Sequence, residues 1–199
     1  MPHGTHGHLE EAEHAEHAAH DTFNRNVAMT MAIIAAVLAA ITMLSHRSHT
    51  ETLRLQTLSN IRHTQASDMW NFYQAKNIRN AEYSAYLELT AGLAKDRAGD
   101  ERRKAAEKKW TDQVEKYKKE LPEIEGQARA LEDEAKQFQL QSDAVHYQAD
   151  RFDLGELGVE LGLVLASLAV LTRRKSFWFG GVGIATLGAL ISSSAFLVH

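Results

Sequence analysis

The stretch from Trp110 to Phe152 reads WTDQVEKYKKELPEIEGQARALEDEAKQFQLQSDAVHYQADRF. One row of side chains, apolar at every position except Ser142, recurs in alternating steps of four and three residues, and the positions between them are mostly Glu, Lys, Asp and Gln. We call this stripe the seam, and its members are Trp110, Val114, Tyr117, Leu121, Ile124, Ala128, Leu131, Ala135, Phe138, Ser142, Val145, Ala149 and Phe152. A 3.5-residue period keeps one side of a slightly underwound helix against a partner helix. The seam therefore predicts a long helix in a coiled coil.

The partner for this helix lies upstream in the same chain. Residues 46–95 contain no proline and no glycine before Gly92, and the turn-forming residues 96–100 separate two arms of about equal length. Equal arms joined by a short turn predict an antiparallel helical hairpin. Pro122 lacks a backbone donor, so we expect the returning helix to kink there or to start anew.

Three blocks of the chain are nearly free of charge. Residues 27–45, VAMTMAIIAAVLAAITMLS, would measure about 28 Å as a helix, which is long enough to cross a hydrocarbon core. Residues 154–171 and 177–198 form the second and third blocks. A buried helix of a soluble protein is the alternative for the first block. Each block also carries a stripe of small residues, the usual means by which helices approach closely in lipid.

The predicted fold is an all-α membrane protein with three transmembrane helices and a long antiparallel coiled-coil hairpin between the first and the second. The chain contains no cysteine, which excludes disulfides and thiolate chemistry. The expected boundaries are an acidic His-rich tail over 1–24, a first transmembrane helix over 25–45, the hairpin over 46–152 with its turn near 96–100, a second transmembrane helix over 153–172, a basic loop over 173–176 and a third transmembrane helix over 177–199.

The short basic loop sets the expected orientation. Its residues Arg173, Arg174 and Lys175 favour the cytoplasmic side, which would leave the hairpin on the opposite side of the membrane. Arg47 and Arg54, which follow the first block, argue for the reverse. Long segments cross a membrane largely regardless of charge, so we give the short loop more weight.

Carboxylates at the start of the second block are the sharpest candidates for function. Glu156 and Glu160 are one helical turn apart, and Asp153 precedes them. Carboxylates inside a membrane span are costly and are typical of ion paths, and in a symmetric oligomer they would repeat as rings that attract cations. The alternative is that they lie near the headgroups and serve only packing or the interface.

A metal site is conceivable in the tail, where His14, His17 and Asp21 supply imidazole and carboxylate ligands. Flexible His-rich tracts often chelate metals without specificity. We find no phosphate-binding loop, no nucleophile motif and no paired acid and base, so we expect no catalytic residues, no cofactor, no enzymatic activity and no nucleic-acid partner. Aromatic and aliphatic residues of the hairpin are predicted to form its core or contacts between subunits: Trp70, Tyr73, Trp110, Leu121, Leu131 and Phe138.

With this layout the chain resembles the bacterial membrane-protein family called domain of unknown function 4337. The resemblance rests on the acidic tail and on residues 67–76, SDMWNFYQAK, in which Met69 and Phe72 stand where Gln and Tyr are expected. Residues 116–120 and 171–175 also fit. The resemblance implies three spans, and it supplies no activity and no functional residues.

Two functions are therefore expected as alternatives. The first is a homo-oligomeric membrane scaffold in the bacterial inner membrane, with the lipid bilayer and other copies of the chain as partners and the hairpin in the periplasm. The second is an oligomeric cation channel or ion-conducting pore with Asp153, Glu156 and Glu160 at its mouth. The apolar rows of the hairpin exceed what one pair of helices can bury, which favours the first.

Overall fold

The structure, a computed structural model, describes the backbone of residues 5–93 and 101–197 and the side chains of residues 22–92 and 101–197. Three α-helices account for these residues: α1 (Thr5–Leu93), α2 (Glu101–Thr172) and α3 (Lys175–Ser194), with a short 3-10 turn (Ala195–Leu197) after α3. Within these ranges there is no β-strand. The expected turn near 96–100 lies outside the described residues.

The all-helical prediction is confirmed, and the helices are longer than the predicted segments. All three are long and apolar enough, by length and composition, to cross a membrane. α1 runs through residues 24 and 45 without ending, so the predicted boundaries of the first span are not helix ends. α2 continues through Pro122, and the expected start of a new helix there is wrong. Pro122 removes one backbone hydrogen bond from α2. The helix tolerates this loss because Leu121 and Ile124, the seam residues on either side of Pro122, stay buried.

The chain divides into two compact units, which we describe separately. Unit 1 comprises residues 1–53 and 143–199, and unit 2 comprises residues 54–142. Residues 46–53 and 143–152, which we had predicted to belong to the hairpin, therefore pack with the apolar segments.

Unit 2 consists of one segment of α1 and one segment of α2. The Ser59 hydroxyl donates to the Ala135 carbonyl oxygen at 2.9 Å. Further along, the Tyr83 and Tyr117 rings are stacked with centroids 6.2 Å apart. As the residue numbers rise along α1, the numbers of their partners fall along α2, so the two segments run antiparallel.

The seam residues of unit 2 face this contact. Ala128 is fully buried and Leu121 is nearly so, whereas Trp110, Leu131 and Phe138 are half-buried. On α1 the burial is less complete, because Ile61 and Phe72 keep about half of their surface exposed, at 47% and 48%. Each helix of unit 2 therefore buries only one narrow stripe of side chains against the other.

Unit 1 packs three helices around small residues. Ile34 and Ile41 of α1 meet Val159 of α2 and Ala185 of α3 in one apolar cluster. Between α2 and α3 the backbones themselves touch, since a Cβ added to Gly188 would lie 2.6 Å from the Gly155 carbonyl oxygen. The small-residue stripes of the second and third blocks therefore pack against each other within the chain. The stripe of the first block remains exposed, and its members are Ala28, Ala32, Ala35 and Ala39.

Candidate functional site

The Asp153 carboxylate lies between two side chains of α1. The Ser45 hydroxyl donates to Oδ1 at 2.5 Å, and Nε2 of His49 lies 3.0 Å from Oδ2. Ser45 is buried, whereas the His49 and Asp153 side chains keep 41% and 46% of their surface exposed. The site is therefore open on the imidazole side and closed on the hydroxyl side.

One turn further along α2, Glu156 has a similar partner. The Thr42 hydroxyl donates to Oε1 of Glu156 at 2.6 Å, and the contact is partly buried. Thr42, Ser45 and His49 follow one another at helical spacing, so they share one face of α1. Together the three α1 side chains and the two carboxylates form what we call the polar clamp.

Glu160 does not join the polar clamp. Its side chain is exposed, and it forms no hydrogen bond or ion pair with any side chain that the structure describes. Its neighbours on α2 are exposed aliphatic side chains, with Leu157 at 55% and Val164 at 56%. The three carboxylates predicted to act together therefore divide into two that bind α1 and one that faces outward.

The sequence belongs to a recognised family. The family described as Domain of unknown function (DUF4337) matches residues 23–198. The chain belongs to the DUF4337 family. No curated protein and no solved structure shows significant similarity to it. Membership confirms the resemblance drawn from residues 67–76, and it assigns no chemistry to the polar clamp.

The polar clamp of this DUF4337 protein contains a serine, a histidine and an aspartate, which are the residue types of a hydrolase triad. They contact one another in a different order. A nucleophilic serine must donate its proton to the imidazole, and the carboxylate must orient the imidazole from behind. Here Asp153 lies between Ser45 and His49, and the serine hydroxyl donates its hydrogen bond to the carboxylate, not to the imidazole. These contacts join α1 to α2 within unit 1.

Metal binding finds no support in the described part of the DUF4337 chain. No group of three or more His, Cys, Asp or Glu side chains with a geometry for a metal occurs among the residues described. The candidates His14, His17 and Asp21 lie outside the residues whose side chains the structure describes.

The basic loop is shorter than predicted. α2 ends at Thr172 and α3 begins at Lys175, so two residues connect them instead of four. Arg173 has a φ of 55°, in the left-handed region, which lets the chain reverse within so short a connection. Arg173, Arg174 and Lys175 are all exposed.

Aromatic residues flank this loop. The Trp178 indole donates to the Thr30 hydroxyl at 3.3 Å, and the Phe23 ring meets the Trp178 ring edge to face, with centroids 6.0 Å apart. Aromatic side chains next to exposed cations are typical of the boundary between hydrocarbon and headgroups.

The predicted contact residues of the hairpin lie inside unit 2. The Trp70 ring packs edge to face on Tyr73, and its indole donates to Glu132 at 2.9 Å. Trp110 packs on Tyr86, with centroids 5.5 Å apart. These contacts lie within one chain, and the role of the same residues in contacts between subunits stays a prediction.

Sequence reasoning missed Thr42, Ser45 and His49. Their spacing of three and four residues marks one helix face, which is a signal that was present. Hydroxyls in an apolar helix usually bond to their own backbone, as Thr30 does with the Asn26 carbonyl oxygen, so the spacing did not identify a carboxylate partner.

Proposed function

We propose that this DUF4337 protein is an integral membrane protein that assembles with copies of itself and serves as a scaffold in the bacterial inner membrane. Three helices with the length and composition of membrane spans support the membrane part of the proposal. The exposed apolar side chains of unit 2 support assembly, and this is the observation that carries it. A two-helix core leaves Ile61, Phe72 and Leu140 in contact with solvent, with Leu140 at 61% exposure. Large exposed apolar side chains on polar helices are typical of surfaces that bind other proteins.

The coiled-coil part of the proposal rests on the seam. Its positions in unit 2 are buried or half-buried, from Trp110 to Ser142, and the residues between them are mostly exposed. Each helix can bury only one such stripe against one partner. A second stripe on α1, which includes Ile61 and Phe72, is then free to meet another copy. Catalytic activity is not part of the proposal.

The orientation is proposed from the basic loop. Exposed Arg173, Arg174 and Lys175 beside Trp178 favour the cytoplasmic face, and residues 46–152 would then connect the first and second spans through the periplasm. Because the chain has no cysteine, a Ser176→Cys variant can be labelled with an impermeant maleimide in intact cells. The proposal expects labelling only after the membrane is opened. Labelling of intact cells would reverse the orientation.

The experiment for assembly is cross-linking in native membranes followed by purification. A scaffold is expected to give cross-linked oligomers before any detergent is added. An Ile61→Glu and Phe72→Glu double variant should lower the yield, and the matched control is Ser67→Glu with Asn71→Glu, which adds two charges to exposed polar positions on another side of α1. A yield that is unchanged in the first variant, or equally lowered in both, would contradict the role of this surface.

A cation channel is the second candidate, and Glu160 is the observation that favours it. An exposed carboxylate on a candidate span would line a water-filled path between copies. Glu156 is less available, because it already accepts a hydrogen bond from Thr42. The channel predicts cation flux into liposomes that falls when Glu156→Gln and Glu160→Gln are combined. Equal flux in the double variant and the parent would exclude these carboxylates from conduction.

A further inference from the structure

Glu160 needs a partner that none of the described side chains of its own chain provides. It projects from α2 among exposed aliphatic side chains, within the segment proposed to cross the membrane. A carboxylate facing lipid at that depth is costly, and such residues normally face other helices or a polar cavity. The question is which surface could cover it.

The contacts between α2 and α3 fix the depth of Glu160 in unit 1. A Cβ added to Gly158 would lie 2.9 Å from the Gly188 Cα, and one added to Gly162 would lie 2.6 Å from the Ala185 Cβ. Residues 158–162 of α2 therefore lie beside residues 185–188 of α3. Glu160, in the middle of its stretch, lies at the depth of Thr186.

Thr186 lines a groove between α1 and α3. The groove has a volume of about 230 Å³, and its walls are mostly aliphatic, with Ile34, Val37 and Val182 among them. Thr186 is exposed, and its hydroxyl donates to the Val182 carbonyl oxygen of its own helix at 2.7 Å. A threonine hydroxyl can rotate from such a backbone bond to a stronger, charged acceptor. The groove thus holds a hydrogen-bond donor at the depth where Glu160 needs one.

The two features lie on different sides of the same copy. Glu160 follows Glu156, which faces Thr42 of α1, by one helical turn, so it lies on the α1 side of α2. Thr186 faces the groove between α1 and α3. Copies that stand upright in one membrane keep equal depths, so the carboxylate of one copy and the hydroxyl of a neighbour would meet.

We propose that the α2 surface carrying Glu160 of one copy seats in the α1–α3 groove of the next copy, where the Glu160 carboxylate accepts a hydrogen bond from the Thr186 hydroxyl. This inference rests on the proposed membrane assembly. Because each copy supplies one surface and one groove, the contact is head to tail, and repetition closes a ring or extends a chain of copies. The small residues of α2 and α3 cannot serve this contact, because they are already packed against each other.

Disulfide cross-linking tests the contact in a chain that has no cysteine of its own. Val164 is exposed one turn beyond Glu160 on α2, and the same register places it at the depth of Gly181, between Gly180 and Val182 of α3. Val182 lines the groove, whereas Gly180 is exposed and does not. The test pair is Val164→Cys with Val182→Cys, and the matched control is Val164→Cys with Gly180→Cys. Both pairs leave Glu160 and Thr186 in place.

The expected result in native membranes is a ladder of dimers and higher oligomers from the test pair, with little from the control pair or from Val164→Cys alone. Adding Thr186→Val to the test pair should lower association about threefold, the size of an average hydrogen bond between membrane helices. An oligomeric mass without cross-linking of the test pair overturns this contact and leaves the proposed assembly standing. Efficient dimers from Val164→Cys alone would mean a symmetric contact and also overturn it. If bound phospholipid protects Val182→Cys from a thiol reagent, lipid occupies the groove and the contact is overturned. A monomeric mass would refute the proposed assembly itself.

Discussion

Asp153 takes two hydrogen bonds from α1, and Ser45 provides the buried one. Removing the hydroxyl with Ser45→Ala leaves the carboxylate with only the more exposed imidazole. We expect the free energy of unfolding to fall by about 1 kcal/mol, which is within the range for single hydrogen bonds between membrane helices. Thermal unfolding in detergent measures the change.

The control for Ser45→Ala is Ser193→Ala. The Ser193 hydroxyl is exposed and donates to the Ala189 carbonyl oxygen of its own helix at 2.8 Å, so its loss breaks no contact between helices. If Ser193→Ala lowers the free energy of unfolding as much as Ser45→Ala does, the hydrogen bond of the polar clamp contributes nothing specific.

Glu120 gives unit 2 a dependence on pH. The hydrogen bond from Lys76 at 2.5 Å lowers the pKa of the Glu120 carboxyl below its ordinary value of 4.5, and the charges of Lys76 and Lys116 lower it further, while desolvation opposes them. A carboxyl whose pKa is lower in the folded state stabilises the fold above its ordinary pKa, and this contribution is lost as the pH falls below 4.5 towards the folded value.

Lys76→Met should therefore reduce the loss of stability between pH 6 and pH 3. The measurement is thermal unfolding across that range, compared with Lys104→Met, which removes an exposed pair with Glu101 within one helix. Identical pH profiles for the parent and Lys76→Met would contradict the assigned role of Lys76.

The contact between α2 and α3 belongs to the scale of whole helices. Gly188 packs on backbone atoms of α2, since an added Cβ would lie 2.6 Å from the Gly155 carbonyl oxygen and 2.7 Å from the Val159 nitrogen. Backbone atoms cannot move aside as a flexible side chain can. Gly188→Ala should push the helices apart and lower the free energy of unfolding by about 1–3 kcal/mol.

Gly183→Ala is the matched change on the same helix. A Cβ there would meet nothing within 4 Å, and alanine is the better helix former by about 1 kcal/mol. Unfolding in a graded denaturing detergent should show Gly183→Ala at or above the parent and Gly188→Ala below it. Equal stability of the two variants would refute the close approach.

Helix periodicity is the part of the structure that the sequence predicts best. The four-three repeat from Trp110 to Phe152 specifies which side of α2 is buried, because a helix in water must cover its apolar stripe. The small stripes predicted close approach, but small residues do not specify a partner. The sequence left open which helix the stripes of α2 and α3 would contact, and the structure pairs them with each other within one chain. The sequence also did not predict that Glu160 would lack the α1 partner that Glu156 has. The two residues are one helical turn apart, and only the packing of α1 on α2 distinguishes them.

At the scale of the whole molecule, the proposed scaffold requires more than one copy. Unit 2 leaves Ile61 and Phe72 exposed in solvent, and unit 1 leaves Glu160 exposed on a segment proposed to face lipid. Apolar side chains in water and a carboxylate in lipid are both unfavourable in a single chain. A second copy could cover both surfaces. Scaffold and channel both need this assembly, so its test comes before either.

The most direct measurement is the mass of the purified protein in mild detergent and again in lipid nanodiscs. If the proposed assembly forms, the mass is a fixed multiple of 22.2 kDa in both media and persists on dilution. A mass of 22.2 kDa in both media, with no cross-linked species from native membranes, would contradict it.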